Sequence, residues 1–237
     1  MKHWTEILRA LGANDEIVRS ASIYPSLAAA WADWPRGDWM LWLWGLASGI
    51  DRRKLVLAAC QCARLSLQYV PEGETRPLVA IETAEAWARG KATRAELSIA
   101  ANGAAAAAIA AIAAGDAEVP DASYAAIWAA AVASSTYADS SFASDAASYA
   151  AAAAAAAANA AIVYADASSG GLYADASAFA AACAAGNAAG YASLSSAFAA
   201  ASEEAWWRVL RECADVVRAA SPRPPRLSRC QKKEVAR

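Results

Sequence analysis

The sequence predicts an all-α fold, a multi-helix bundle with alanine-rich, closely packed helices, on three observations. The only hydrophobic period along the chain is helical, with apolar residues recurring three and four apart. About half of the residues between Glu96 and Trp207 are alanine, the best intrinsic helix former. Glycine and proline mark several of the breaks between the periodic runs, as at Pro35-Arg36-Gly37, Pro71 to Gly73 and Gly90. With 237 residues, the chain is long enough to bury a core without disulfide or metal staples. Residues 1–220 read as a single all-helical unit. It comprises Trp-rich N-terminal helices over 1–94 and alanine-rich helices over 95–220, followed by a flexible basic tail over 221–237.

Each element has a local reason. Leu27, Ala30, Trp31 and Trp34, then Trp39, Trp42 and Leu43, predict two helices interrupted at Pro35-Arg36-Gly37. Asp38 is placed to cap the second, and Gly45 or Gly49 to end it. Asp51 predicts the cap of a helix reaching Tyr69, with Leu55, Ala58, Ala59, Cys62 and Leu65 on its apolar face. Val70-Pro71-Glu72-Gly73 stops it. Pro77 suits the first turn of a helix ending at Arg89-Gly90. Thr93 predicts the cap of a helix to Ala114, and Gly115 to Pro120 break the chain.

Three further helical stretches are predicted, over 121–133, 145–167 and 173–220. Ser134 to Ser141 form a turn between the first two, and Ser168-Ser169-Gly170-Gly171 between the second and third, with a joint at Gly186-Asn187. Tyr-Ala-Asp recurs at 137–139, 164–166 and 173–175, but the spacing is too irregular for a solenoid. Alanine buries little area, so helices of this kind depend on close approach and on sparse large anchors such as Tyr124, Trp128, Phe142 and Phe179.

Charge is distributed unevenly. Residues 1–94 carry twelve basic and ten acidic groups, and residues 208–237 nine basic and three acidic. Between Glu96 and Trp207 there is no lysine, arginine or histidine. The charges over 96–204 are ten carboxylates: Glu96, Asp116, Glu118, Asp121, Asp139, Asp145, Asp166, Asp175, Glu203 and Glu204. A folded nucleic-acid binder would present a basic face, so no nucleic-acid partner is expected. Residues 146–165 and 176–202 are long enough to span a bilayer. They are mostly alanine, however, and their connections carry aspartate rather than orienting lysine and arginine, so no membrane partner is expected. Five scattered cysteines and a charged start without an apolar h-region point to reduced thiols in the cytoplasm.

Catalytic signals are weak. His3 is the only histidine, which disfavours a histidine general base or metal site. Cys60 and Cys62, two apart on a helix, point in different directions and read as core thiols rather than half of a zinc site. No P-loop, dinucleotide fingerprint or nucleophile elbow is present. The sequence therefore predicts no catalytic residue, no metal site and no cofactor. The richest polar constellation is Asp38, Asp51, Arg52, Arg53, Arg64, Glu82, Glu85 and Arg89. It reads as a structural network joining helices around the tryptophans, with Glu85 and Arg89 paired at i, i+4. Asp139, Asp145, Asp166 and Asp175 either cap alanine helices or present a one-sign face to a basic protein partner.

Three stretches carry a family resemblance: Ser26 to Trp31 with Arg36 to Leu43, Asp51 to Leu65, and Ala80 to Gly90. They resemble a bacterial family of immunity proteins with an Imm-5-like domain, whose members continue into alanine-rich helices and a segment like Cys213 to Arg218. The resemblance covers most of 22–220 and implies a non-enzymatic protein that neutralises a cognate toxin by occluding its surface. The serine-rich middle departs from the scattered arginines expected of relatives, so a partner surface there would differ. Two other readings stand beside it: a self-associating structural helical protein forming a homo-oligomer, and a small-molecule binder with a pocket near Trp39, Trp42 and Arg52.

Overall fold

The computed structural model describes residues 4–47, 50–70, 72–114, 185 and 199–227. Among these residues all regular structure is helical. The elements are α1 (Thr5–Ala10), α2 (Asp15–Ser22), α3 (Leu27–Asp33), α4 (Gly37–Gly45), α5 (Arg52–Arg64), a short 3-10 turn (Leu67–Tyr69), α6 (Arg76–Ala88), α7 (Arg94–Ala114) and α8 (Ala199–Ala220). None of these helices is long and apolar enough to cross a membrane. The helices expected over 121–133 and 145–167 lie outside the described residues; of the stretch expected to be helical over 173–220, residue 185 and α8 are described, and both are helical.

Capping chemistry sets most helix starts. Asn14 Oδ1 accepts from Ile17 N at 2.9 Å, and Ser26 Oγ from Ala29 N at 3.2 Å. Asp51 Oδ1 accepts from the backbone of both Arg53 and Lys54. At α7, Thr93 and Glu96 form a reciprocal capping box. Glu96 N donates to Thr93 Oγ1, and Thr93 N donates to Glu96 Oε2 at 2.7 Å. Two helix ends are matched Schellman turns built on glycine. After α6, Gly90 (φ +75) donates to Trp87 O and Lys91 N to Ala86 O; after α1, Gly12 (φ +91) and Ala13 repeat the pattern. Trp34, ahead of Pro35, is extended at ψ 125, and that ends α3.

The helices share one buried cluster. α6 lies against α7 through small residues, with Ala80, Ala84 and Ala88 buried on one side and Ala100, Ala101 and Ala104 on the other. α5 packs on α6. The return helix α8 covers α4 and α5 with Val209, Leu210, Cys213, Ala214 and Val217, all buried. Positions 209, 213 and 217 share one helical face, and 210 and 214 sit beside it, which gives α8 a single apolar stripe. The N-terminal half supplies the bulk. Trp31, Trp34, Met40, Leu41 and Leu43 are almost completely enclosed.

Several details differ from the sequence reading. α1 and α2, for which the sequence reading names no individual element, contribute Leu8, Ile17, Val18 and Ala21 to the core. Asp38 does not cap α4. The helix starts one residue earlier at Gly37, and the Asp38 carboxylate turns to the Arg36 guanidinium. The tail expected to be flexible from residue 221 is packed as far as Leu227. Trp31 Nε1 donates to Ser221 O at 2.9 Å, Pro225 is buried and Leu227 rests on the core.

Gly37 marks the closest approach between α4 and α8. A β-carbon there would overlap the Cys213 side chain and the Ala214 backbone, so any side chain pushes the two helices apart. At Gly103, within α7, a β-carbon would meet only Arg76 side-chain carbons at 3.9 Å, an ordinary contact. Gly37→Ala is therefore expected to lose about 1–3 kcal/mol of unfolding free energy through overpacking. Gly103→Ala gains about 0.5–1 kcal/mol through helix propensity. Urea melts of the two variants check both signs, and equal shifts would contradict the packing described for α4 and α8.

Candidate functional site

The most elaborate polar site of the described residues grows out of the break at 35–37. Pro35 ends α3, Arg36 stands in the N-cap position of α4, and Asp38 lies in its first turn. This short connection folds the Arg36 side chain back over its own helix start. Arg36 Nε donates to Asp38 Oδ1 at 2.9 Å and Nη2 to Oδ2 at 2.6 Å, a two-pronged fork. Nη1 reaches the largely exposed Glu16 of α2 at 3.4 Å. The guanidinium carbon sits 3.7 Å above the Trp39 ring centroid.

α8 closes the other side. Arg36 lies 5.0 Å from the Trp206 ring and 5.9 Å from that of Trp207, which meet edge to face at 4.9 Å. Trp34 packs obliquely on Trp39 at 5.4 Å, continuing the aromatic layer into the core. The side chain of Arg36 is 8 % exposed and that of Asp38 is fully enclosed. Taking two such ions from water costs several kcal/mol each, roughly, unless the geometry returns it. Here the planar fork and the aromatic faces supply that return, which an ammonium could not do in the same way. Chemically, this site holds helices together. Arginine is neither base nor nucleophile, and both Asp38 oxygens accept from Arg36.

The constellation expected from sequence separates into three places. Arg64, Glu85 and Arg89 come together. Arg64 Nε and Nη2 donate to the two Glu85 oxygens at 2.8 and 3.1 Å, and Arg89 Nη2 donates at 3.3 Å. This group joins α5 to α6. Hydrogen bonding from Arg64, above all, holds the Glu85 carboxyl below its ordinary value of 4.5. The same bond raises the Arg64 guanidinium, with Glu82 adding a smaller attraction from the surface. Asp51 serves as the cap of α5, and Arg52 and Arg53 lie exposed in its first turn. Asp38 belongs to the separate Arg36 centre. Sequence reasoning missed Arg36 as a site residue, although Arg36-Gly37-Asp38-Trp39 already held three of the groups. The contribution of Trp206 and Trp207 had no local signal.

Three cysteines are core residues. The Cys60 thiol faces Ile81 O at 3.9 Å and Cys62 faces Cys213 O at 4.0 Å. Burial pushes the Cys60 thiol far up, so it stays protonated and unreactive at neutral pH. Among the described residues no group of three or more His, Cys, Asp or Glu side chains gathers as a metal site. Of the residues around which the small-molecule reading would need a pocket, Trp39 is buried beneath Arg36, Trp42 packs against the core and Arg52 is exposed at the start of α5. Asp139, Asp145, Asp166 and Asp175 lie outside the described residues.

Two outcomes follow from these geometries. Arg36→Met strands the enclosed Asp38 carboxylate and is expected to cost about 3–5 kcal/mol of stability. Arg36→Met/Asp38→Ala recovers at least half of that loss in denaturant melts, because the uncompensated charge is gone. If the double variant were no better than the single, the ion pair would not be the source of the loss. The second outcome concerns acid. Glu85 titrates lower folded than unfolded, so its contribution is full above about 4.5 and fades as pH falls through the folded value. Unfolding free energy measured from pH 6 down to about 3 should fall less steeply for Glu85→Gln than for the parent chain. No protein-family model matches the chain, and neither a curated protein nor a solved structure is significantly similar to it.

Proposed function

We propose that this chain is a non-enzymatic cytoplasmic binding protein of immunity type, which neutralises a basic toxin by covering part of its surface. The observation that carries this reading is the one-sign charge between residues 95 and 207, ten carboxylates with no basic residue among them. An acidic surface of that extent accelerates encounter with a basic partner and orients it. The stretch starts in α7, held against α6, and ends in α8, held on α4 and α5, so both of its ends are fixed to the helical body. The polar groups of that body are engaged in holding helices together at Arg36 and Glu85. This division of labour supports a scaffold that presents a charged stretch. The family resemblance of residues 22–90 points the same way. Asp139, Asp145, Asp166 and Asp175 are the partner-facing residues in this reading.

One observation favours self-association as a second reading. After Glu96, α7 carries only Ser98 and Asn102 among apolar residues and glycine, and Ala95, Ile99, Ala106 and Ala110 on one side of it are exposed, Ile99 by 73 %. Such a face suits close pairing with another helix.

The test is co-expression with a basic toxin encoded beside the gene, followed by light scattering of the purified mixture at low and high salt. The expected result is growth rescue and a stoichiometric complex. Its association rate falls at least about tenfold when Asp139, Asp145, Asp166 and Asp175 are changed to Asn, and its salt dependence shrinks accordingly. Unchanged binding by that variant would remove the acidic face. A salt-resistant oligomer of the chain alone, without any complex, would favour self-association.

A further inference from the structure

We infer that residues 199–227 form a strap over α3, α4 and α5, fastened at the Arg36–Asp38 centre, which opens as one unit while α6 and α7 stay folded. The fastening points lie along one line of the chain. Trp206 and Trp207 flank Arg36 at the start of the strap. Cys213 and Ala214 meet Gly37 in its middle. Arg218 Nη1 donates to Trp34 O at 3.0 Å, and Ser221 O accepts from Trp31 Nε1 at 2.9 Å near its end. All four lead to residues 31–37. Arg218 Nη1 also approaches Met40 Sδ at 3.8 Å, and the Cys62 thiol makes a weak contact with Cys213 O.

α6 and α7 stand on different supports. They pack on each other through buried alanines, and α6 is fixed to α5 by the Arg64–Glu85–Arg89 group. The strap's contacts given above go to α3, α4, α5 and the turn between α3 and α4. Its anchors are sequence-distant and share one small acceptor region, so losing one loosens its neighbours. Elements held in that manner open cooperatively below the global unfolding free energy.

Opening has a consequence for the acidic stretch. Glu203 and Glu204 lie in α8 itself, a turn or less before Trp206 and Trp207. A closed strap holds that end of the stretch on the body, and an open strap releases it while α7 still holds the other end. The strap is thus a conformational device that sets how the acidic stretch is presented, whatever binds there.

Hydrogen exchange of the full chain, read by mass spectrometry, tests this without a partner. In the parent protein, amides of 200–220 are expected to exchange together and faster than those of 78–110. Arg218→Ala, which removes the Trp34 contact without stranding a buried carboxylate, should accelerate exchange of 200–220 at least about tenfold and leave 78–110 within about twofold. Arg36→Met should act in the same direction and more strongly, with Arg36→Lys between it and the parent. Equal acceleration of both segments by Arg218→Ala, or no change in 200–220, would overturn the strap. If Arg36→Met does not fold, the Arg218→Ala comparison decides the matter by itself.

Discussion

The fork between Arg36 and Asp38 is the interaction on which the arrangement of the described helices depends. It occurs where α3 must stop and α4 must start within three residues, and it fixes that corner by tying the cap residue to the first turn. The corner then becomes a landing place for a helix more than 160 residues further along. Trp39 forms its floor, Trp206 and Trp207 its cover, and Gly37 its point of contact. A guanidinium suits this place better than an ammonium. It is flat, so it can lie on Trp39 while forking to a carboxylate in its own plane, and it is less strongly hydrated. The fork and the aromatic faces offset the cost of burying the pair. What the pair contributes is direction, since an apolar corner would accept α8 in many registers and this one accepts few.

Two ways of packing meet in this molecule. The N-terminal half fills space with large rings, and the gaps between short helices are closed by Trp31, Trp34, Trp39 and Trp44. The pair α6 and α7 does the opposite. Its buried contact is built from alanines, small side chains of the kind that let helix backbones approach closely. Such a contact gains little from each side chain and much from its length. α7 is correspondingly the longest of the first seven helices. Directional contacts lie at the joints: Arg64 and Glu85 bridge α5 to α6, and Arg36, forked to Asp38 at the start of α4, meets the Trp206 and Trp207 rings of α8. Directional contacts are needed most at these joints, because neither rings nor small residues define a unique register across them.

The fold class was legible because it rests on local chemistry. Asp51, Thr93, Pro77 and Gly90 act where the sequence places them, since caps and breakers depend on a few adjacent residues. Asp38 shows the limit of that logic. It has the chemistry of a cap and sits at the right place, but a guanidinium two residues away competes for its oxygens and wins. α1 and α2 were hidden for another reason. They are six and eight residues long, too short to show a period, and they owe their existence to burying Leu8, Ile17 and Val18. The candidate site was half legible. Arg64, Glu85 and Arg89 could be grouped from helical spacing and from facing helices. Nothing in the order of residues says that Trp206 will rest near Arg36, because that contact is made by the return of the chain.

That return connects structure to the proposed function. The acidic stretch cannot neutralise itself, since it contains no basic residue, and its carboxylates repel one another along a run that alanine alone would not hold in place. Repulsion of this kind works against compactness and must be opposed at the ends. At the first end, Glu96 is consumed in the capping box of α7, where its charge is stabilising rather than repulsive. At the second, Glu203 and Glu204 lie in α8, close before the aromatic cover of Arg36. Each end of the stretch therefore runs into a helix that the body holds by other means. A chain that must display negative charge without being unfolded by it gains most from such an arrangement, and its stability then depends on Arg36 more than on any carboxylate it displays.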